Sequence, residues 1–234
     1  IIAHDLRTPL SGMKNLSNLI LENSDTVTQD EREKYLRSFS TTSANIMNLL
    51  DNLLHWSQIQ TGRISYRPEH IPLHDILHLE TDTLTPFADQ KAVSIIVDVP
   101  NYSIFVDKYM ISTAIRNILT NAIKYSKPKK SIHIHGVEEQ KSVVLSIVDQ
   151  GIGMSNEDMQ NIFRIDHKVS RLGTSGERGT GIGLTLSKEF AEKNGGALWC
   201  ESEVGKGSVF YIRLPKSDVD VRLVSNGKVK KQSQ

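Results

Sequence analysis

Asn117 and Asn121 stand four residues apart, with Lys124 three residues further on and Tyr125 beside it. On a helix this spacing puts the two carboxamides on one face. A carboxamide oxygen can hold a hard cation such as magnesium, and a lysine ammonium can hold a phosphate. A second group follows the apolar run Val143 to Val148: Asp149, Gln150, Gly151, Ile152 and Gly153. A carboxylate at a strand end followed by two glycines offers one fixed acceptor beside a backbone that a ligand can approach closely. Third come Gly179, Thr180, Gly181, Ile182, Gly183 and Leu184, opening a predicted helix whose N-terminal amides form a phosphate site. Between the second and third groups, residues 165–178 are rich in Gly, Ser, Thr and charge, with the length of a functional lid or a disordered loop. Taken singly, each group is more often structural: an Asp before Gly-x-Gly usually caps a turn, and the Gly-x-Gly-x-Gly segment lacks the preceding strand of a dinucleotide fingerprint. Their order and spacing together are specific.

The elements that must position these residues fall into two sets. The first 61 residues contain one Pro and one Gly and show helical periodicity. In the first helix Ile2, Leu6, Pro9, Met13, Leu16 and Ile20 form an apolar line, and His4, Thr8, Ser11, Asn15, Asn18 and Glu22 a polar one. Asp30, with Glu31 and Glu33, is read as the N-cap and acidic first turn of a second helix. That helix carries a seven-residue repeat through Phe39, Ile46 and Leu53, and through Thr42, Leu49 and Trp56, and it ends at Gly62. So wide an apolar face predicts pairing of two copies into a four-helix bundle; the heptad regularity favours this over packing on the second domain. From Arg63 onward, strands are expected at Val93–Val99, Ser131–Val137, Val143–Val148, Ala197–Ser202 and Ser208–Leu214. Helices are expected at Leu73–Gln90, Lys108–Tyr125, Asn156–Phe163 and Ile182–Asn194. A hairpin turning at Gly205 to Gly207 implies a mixed or antiparallel sheet and excludes a doubly wound nucleotide fold. The fold class is α+β: a helical hairpin over residues 1–66, an α/β sandwich with a mixed sheet over 67–216, and a flexible polar tail over 217–234.

Composition sets the outer limits. The chain has 234 residues, Lys+Arg 28 against Asp+Glu 27, and a formal net charge of +1. This balance gives no electrostatic reason to expect nucleic acid or an anionic membrane as partner. A single cysteine, Cys200, excludes an internal disulfide and a multi-cysteine zinc site. No apolar run approaches the roughly 20 residues needed to cross a bilayer. The chain opens on Ile1 within a helical pattern. The expectation is a cytoplasmic piece of a longer protein.

Taken together, the motifs resemble those of a sensor histidine kinase: the dimerisation and phosphoacceptor hairpin followed by the ATP-binding domain, from Ile1 to about Pro215. His4, Asp5, Leu6, Arg7, Thr8, Pro9 and Leu10 are similar to the phosphoacceptor motif, and Asn117 to Ser126 to the asparagine motif. Asp149 to Gly153 and Gly179 to Leu184 resemble the two glycine motifs, and Ile162 and Phe163 the phenylalanine motif between them. The resemblance extends to the wider ATPase superfamily of gyrase, Hsp90 and MutL. It implies that ATP and magnesium are the cofactors. Asp149 would bond the adenine amino group, Asn121 bind magnesium, Lys124 and Tyr125 flank the nucleotide, and Gly179, Gly181 and Gly183 shape the phosphate end of the lid. It also implies a homodimer that passes its phosphoryl group to a response-regulator receiver domain.

Within that resemblance His4 is the acceptor. A neutral imidazole is a fair nucleophile near pH 7, because the reference pKa is about 6.5. Asp5 matches the acidic neighbour that takes the proton of one ring nitrogen while the other attacks. Thr8, one turn on, matches the position used for dephosphorylation, and Pro9 is expected to bend the helix beside it. Three functions are weighed: a histidine kinase; an ATP hydrolase of the gyrase and Hsp90 type, which carries a glutamate where this chain has Asn117; and a dimeric scaffold with a degenerate ATP site. Asn117 argues against the second and the complete motif set against the third. The other histidines lack such neighbours. His74 and His78, four apart without a third ligand, are read as surface residues, and Trp199 as a packing group.

Overall fold

The computed structural model describes residues 2–22, 28–61, 65–164, 172–175, 177 and 181–218. The chain divides into two compact units, Ile1–Ile64 and Ser65–Gln234. The first is a pair of helices in contact, α1 (Ile2–Glu22) and α2 (Gln29–Gln60). Pro9 lies within α1, which is continuous through it. The cap of α2 is Thr28, not Asp30. The Thr28 N–H donates to Glu31 Oε2 at 3.0 Å and the Glu31 N–H to Thr28 Oγ1 at 3.3 Å. This reciprocal pair satisfies two orphan amides at once, which a lone Asp30 side chain two residues further in does not. Ile46 is buried, whereas Leu10, Leu21, Leu36, Phe39, Met47, Leu50 and Leu54 are exposed large apolar residues of this unit.

The second unit is built on a five-stranded sheet of order β2-β4-β5-β7-β6: β2 (Ser94–Asp98), β4 (Ser131–Glu138), β5 (Ser142–Val148), β6 (Ala197–Glu203) and β7 (Gly207–Pro215). The β2–β4 pair is parallel and the others antiparallel, so the sheet is mixed, as expected. Along β5, Val143, Leu145 and Ile147 are buried and alternate with half-buried neighbours, as one covered face requires. The cover comes from α3 (Leu73–Gln90), α4 (Lys108–Tyr125) and α6 (Gly183–Lys193). Leu73, Ile76, Ile115, Ile118, Leu119 and Ala191 from these helices join the strand residues in one core. The short α5 (Asn156–Asn161) stops before Ile162 and Phe163, which pack on the core from a turn. A two-stranded sheet of β1 (Glu69–Pro72) and β3 (Ser103–Val106) was not foreseen. Its four-residue strands are too short for period-2 alternation to register.

At the rim of the core a buried carboxylate meets an exposed guanidinium. Glu80 of α3 is fully buried and receives Arg116 of α4 in fork geometry, Nε to Oε2 at 2.6 Å and Nη2 to Oε1 at 2.9 Å. At the end of the domain Ser217 is buried rather than part of a tail. Its N–H donates to the Ser103 carbonyl at 2.9 Å, and its Oγ lies 2.6 Å from His70 Nδ1. The remaining tail, residues 219–234, lies outside the described residues.

Candidate functional site

Helix α4 is the backbone of the site. Asp107 caps its N-terminus, accepting from the Met110 N–H at 3.1 Å, and the helix stops at Ser126. Asn117 reaches α6: its Nδ2 donates to the Gly183 carbonyl at 3.1 Å and to Ser187 Oγ at 3.3 Å. The two motifs carrying Asn117 and Gly183 are therefore joined by a direct bond. Asn121, one turn on and half-buried, makes no side-chain hydrogen bond among the described residues. Its amide is left for a ligand. Lys124 is buried, and its Nζ donates to Tyr125 Oη at 2.9 Å while lying 4.6 Å from the centre of that ring. A buried ammonium hydrogen-bonded to a neutral phenol has the means to accept an anion.

Asp149 is placed at the other side of the same helix end. Its carboxyl is 4% exposed, and Oδ1 accepts from the Gly151 N–H at 2.9 Å and the Ser208 N–H at 3.2 Å. Burial pushes the group up from 3.8 to about 6, against the downward pull of these Gly151 and Ser208 contacts. Gly151 packs on α4: a Cβ there would stand 2.3 Å from the Tyr125 carbonyl oxygen. At Gly153, φ is +64° and a Cβ would stand 1.9 Å from the Glu203 carbonyl oxygen. Only glycine serves at both places. The loop thus pins a buried carboxyl beside Tyr125.

The third motif is described in part. Gly181 has φ +75°, Ile182 and Leu184 are buried, and Gly183 begins α6. Gly179 and Thr180 lie outside the described residues. Lys188 of α6 places its Nζ 5.6 Å from the centre of the Phe163 ring, tying the phenylalanine segment to this helix. His4, Asp5 and Thr8 are in α1, in the other unit, and their side chains lie outside what is described. Several participants carried no motif signal. Ser208 holds Asp149 only through the β5–β7 register, which pairs Val148 with Val209, and Ser187 meets Asn117 only through helix packing. His74 and His78 approach with Nε2 to Nε2 at 3.1 Å on an exposed helix face. Among the described residues no group of three or more His, Cys, Asp or Glu side chains could hold a metal ion. Trp199 stacks on Tyr211 with centroids 5.2 Å apart, a packing role.

Two family models account for these features. Residues 1–62 match the His Kinase A (phospho-acceptor) domain, and residues 106–218 match the histidine kinase-, DNA gyrase B-, and HSP90-like ATPase. The chain belongs to the sensor histidine kinases. This kinase core is 31% identical over 219 residues to cyanobacterial phytochrome B of Nostoc sp., covering 92% of the core and 28% of that protein. It is 29% identical to sensor protein SrrB of Staphylococcus aureus, covering 93% of the core and 37% of SrrB. With sensor protein KdpD of Clostridium acetobutylicum the figures are 27% identity, 92% and 24%. The kinase core therefore spans well under half the length of these curated relatives. Its fold is that of the Acinetobacter baumannii histidine kinase AdeS, with TM-score 0.72 and 19% identity over 92% of the core and 98% of AdeS. A structure of histidine kinase ThkA in complex with the response regulator TrrA also matches, with TM-score 0.67 and 17% identity over 92% of the core and 60% of that chain. Among the described residues no helix is long and apolar enough to cross a membrane.

Proposed function

We propose that this chain, acting as a homodimer, moves the γ-phosphoryl group of ATP to His4 and then to an aspartate of a response-regulator receiver domain. The observation that carries the nucleotide half of this reading is Asp149, a buried carboxyl oriented by the Gly151 and Ser208 N–H groups and able to accept from an amino donor such as that of adenine. Lys124 supplies a buried cation for phosphate, and the amide of Asn121, without a side-chain hydrogen bond among the described residues, suits a hard cation. Magnesium held there would neutralise charge on the phosphate oxygens. Glycines at 179, 181 and 183 are read as the phosphate end of the same site, with the backbone of Thr180 and Leu184 completing the motif.

Phosphoryl transfer is mainly a matter of positioning and charge neutralisation. The chemistry assigned to this chain is then short. His4 presents a neutral ring nitrogen to the γ-phosphorus, the bond to the β,γ-bridging oxygen breaks, and ADP leaves with that electron pair. Asp5 takes the proton of the other ring nitrogen, which raises the basicity of the attacking one. Asn117 has no proton-accepting carboxylate, and its amide is spent on Gly183 and Ser187. Water is accordingly not activated at that position, which favours transfer over hydrolysis of the gyrase and Hsp90 type.

The exposed apolar residues of the helical unit, among them Phe39, Leu50 and Leu54, support pairing with a second copy. Partner choice rests on the family and on the ThkA complex with a response regulator. The test is a two-step chase. The chain is charged with γ-labelled Mg-ATP, freed of nucleotide, and mixed with purified receiver domains. Label should leave the chain and reach a receiver aspartate. Release of label only as inorganic phosphate during charging, with none on the chain, would favour the hydrolase reading instead.

A further inference from the structure

Two residues outside every motif, Lys91 and Glu177, meet at the C-terminal end of α4. Lys91 follows directly on α3, with its side chain 7% exposed. Its ammonium donates to Glu177 Oε1 at 2.9 Å and to the carbonyl oxygen of Lys124. That carbonyl belongs to the last turn of α4, where helix oxygens lack onward partners and a cation is favoured. Thr174 closes the same place. Its N–H donates to the Lys124 carbonyl at 3.1 Å, and its Oγ1 donates to the Ser126 carbonyl at 2.6 Å. Glu177 is folded back on its own segment, accepting from the Ser175 N–H at 2.9 Å through Oε2 and from the Gly173 N–H at 2.8 Å through its carbonyl. Burial works to raise the Glu177 carboxyl, but the bond from Lys91 and the backbone N–H contacts outweigh it and hold the group below its usual range. Gly173 rests on the stem of Lys124, where a Cβ would stand 2.7 Å from Lys124 Cγ and 2.2 Å from Glu177 Oε2.

Lys124 is thereby fixed along its length. Its carbonyl is held by Lys91 and Thr174, its stem is covered by Gly173, and its ammonium is set against Tyr125. A free lysine side chain carries substantial rotamer entropy, and ordering it before a ligand arrives removes that loss from binding. We propose that the Lys91–Glu177 ion pair, with Thr174, is a clasp that positions Lys124 for the phosphate end of the nucleotide, an inference that rests on the nucleotide reading above. Lys91 and Glu177 are positioning residues, acting through Lys124.

The test compares Mg-ATP with adenosine, which lacks phosphates, on the full chain. Affinities are measured by calorimetry and NMR for the wild type, Lys91→Met, Lys91→Arg and Glu177→Gln. Lys91→Met and Glu177→Gln should each weaken Mg-ATP by about tenfold, the scale of one charge-assisted contact. Adenosine affinity should stay within about twofold, and Lys91→Arg should restore much of the loss because it keeps the cation. The thermal midpoint of Glu177→Gln should hold, since that side chain is 38% exposed and its replacement keeps the hydrogen-bonding shape. Unchanged Mg-ATP affinity in both variants would overturn the proposal. So would parallel losses for Mg-ATP and adenosine, the signature of a general disturbance of α4. If the wild type itself fails to bind Mg-ATP, the underlying nucleotide reading falls and the clasp with it, a result recognisable without any variant.

Discussion

A carboxyl group buried to 4% exposure and raised to about 6 responds to whatever donor meets it. In the free protein the raised value means that Asp149 binds a proton more tightly folded than unfolded. Its burial therefore opposes stability above about pH 6, and that cost is relieved as the pH falls from about 6 toward 3.8. An amino donor favours the charged form, so a bound adenine should lower the value and nucleotide affinity should fall as the pH drops through about 6. Carboxyl-carbon NMR of Asp149 with and without ADP checks this; an unchanged titration on saturation with ADP would remove Asp149 from the adenine contact. On the acceptor helix, Asp5 and Thr8 are assigned different tasks. Asp5→Asn should slow formation of phosphohistidine by about 10² to 10⁴, the usual range for general-base assistance. Thr8→Ala should leave that rate intact and reduce dephosphorylation of the regulator. Equal losses of autophosphorylation in the two variants would point to a common disturbance of the helix near Pro9.

Helix α4 joins most of the site, and its strength can be read from how it is held. The fork between Arg116 and the fully buried Glu80 fastens it to α3. Arg116→Met strands a buried anion and should cost about 2 kcal/mol or more in urea unfolding, whereas the Glu80→Met, Arg116→Met pair should recover most of the loss. A double variant as unstable as the single one would show that the pair is not what fastens the helix. The limits of α4 were legible in the sequence because Asp107 caps an unbroken helical pattern and Tyr125 precedes a Ser-Lys-Pro stretch. The five strands of the main sheet were legible to within a residue or two from their β-branched runs. What escaped was either short or long-range. The strands at Glu69–Pro72 and Ser103–Val106 are four residues each and one ends in proline. Thr28 displaced Asp30 as a cap because its partner Glu31 completes a reciprocal pair. Asp149 and Asn117 stand in motifs that local spacing reports, whereas the contacts of Ser208, Lys91 and Glu177 come through strand register and loop packing, which no local spacing reports.

At the scale of the whole molecule, the two units match two different domains. Residues 1–62 match a phospho-acceptor domain, and residues 106–218 match an ATPase domain whose members bind ATP. The second unit offers a carboxyl, an ammonium and two amides to a nucleotide, and the first holds His4, the imidazole proposed as acceptor. The chain covers 24% to 37% of the length of these curated relatives. The most direct measurement is therefore chemical. The chain is incubated with Mg-ATP labelled at the γ-phosphate, and the label is tested for survival in acid and in base and mapped by peptide. The wild type should carry acid-labile, base-stable label on the peptide containing His4, and His4→Gln should carry none while binding ATP as tightly as before. Acid-stable label, or labelling of His4→Gln equal to the wild type, would contradict the assignment of His4 as the acceptor.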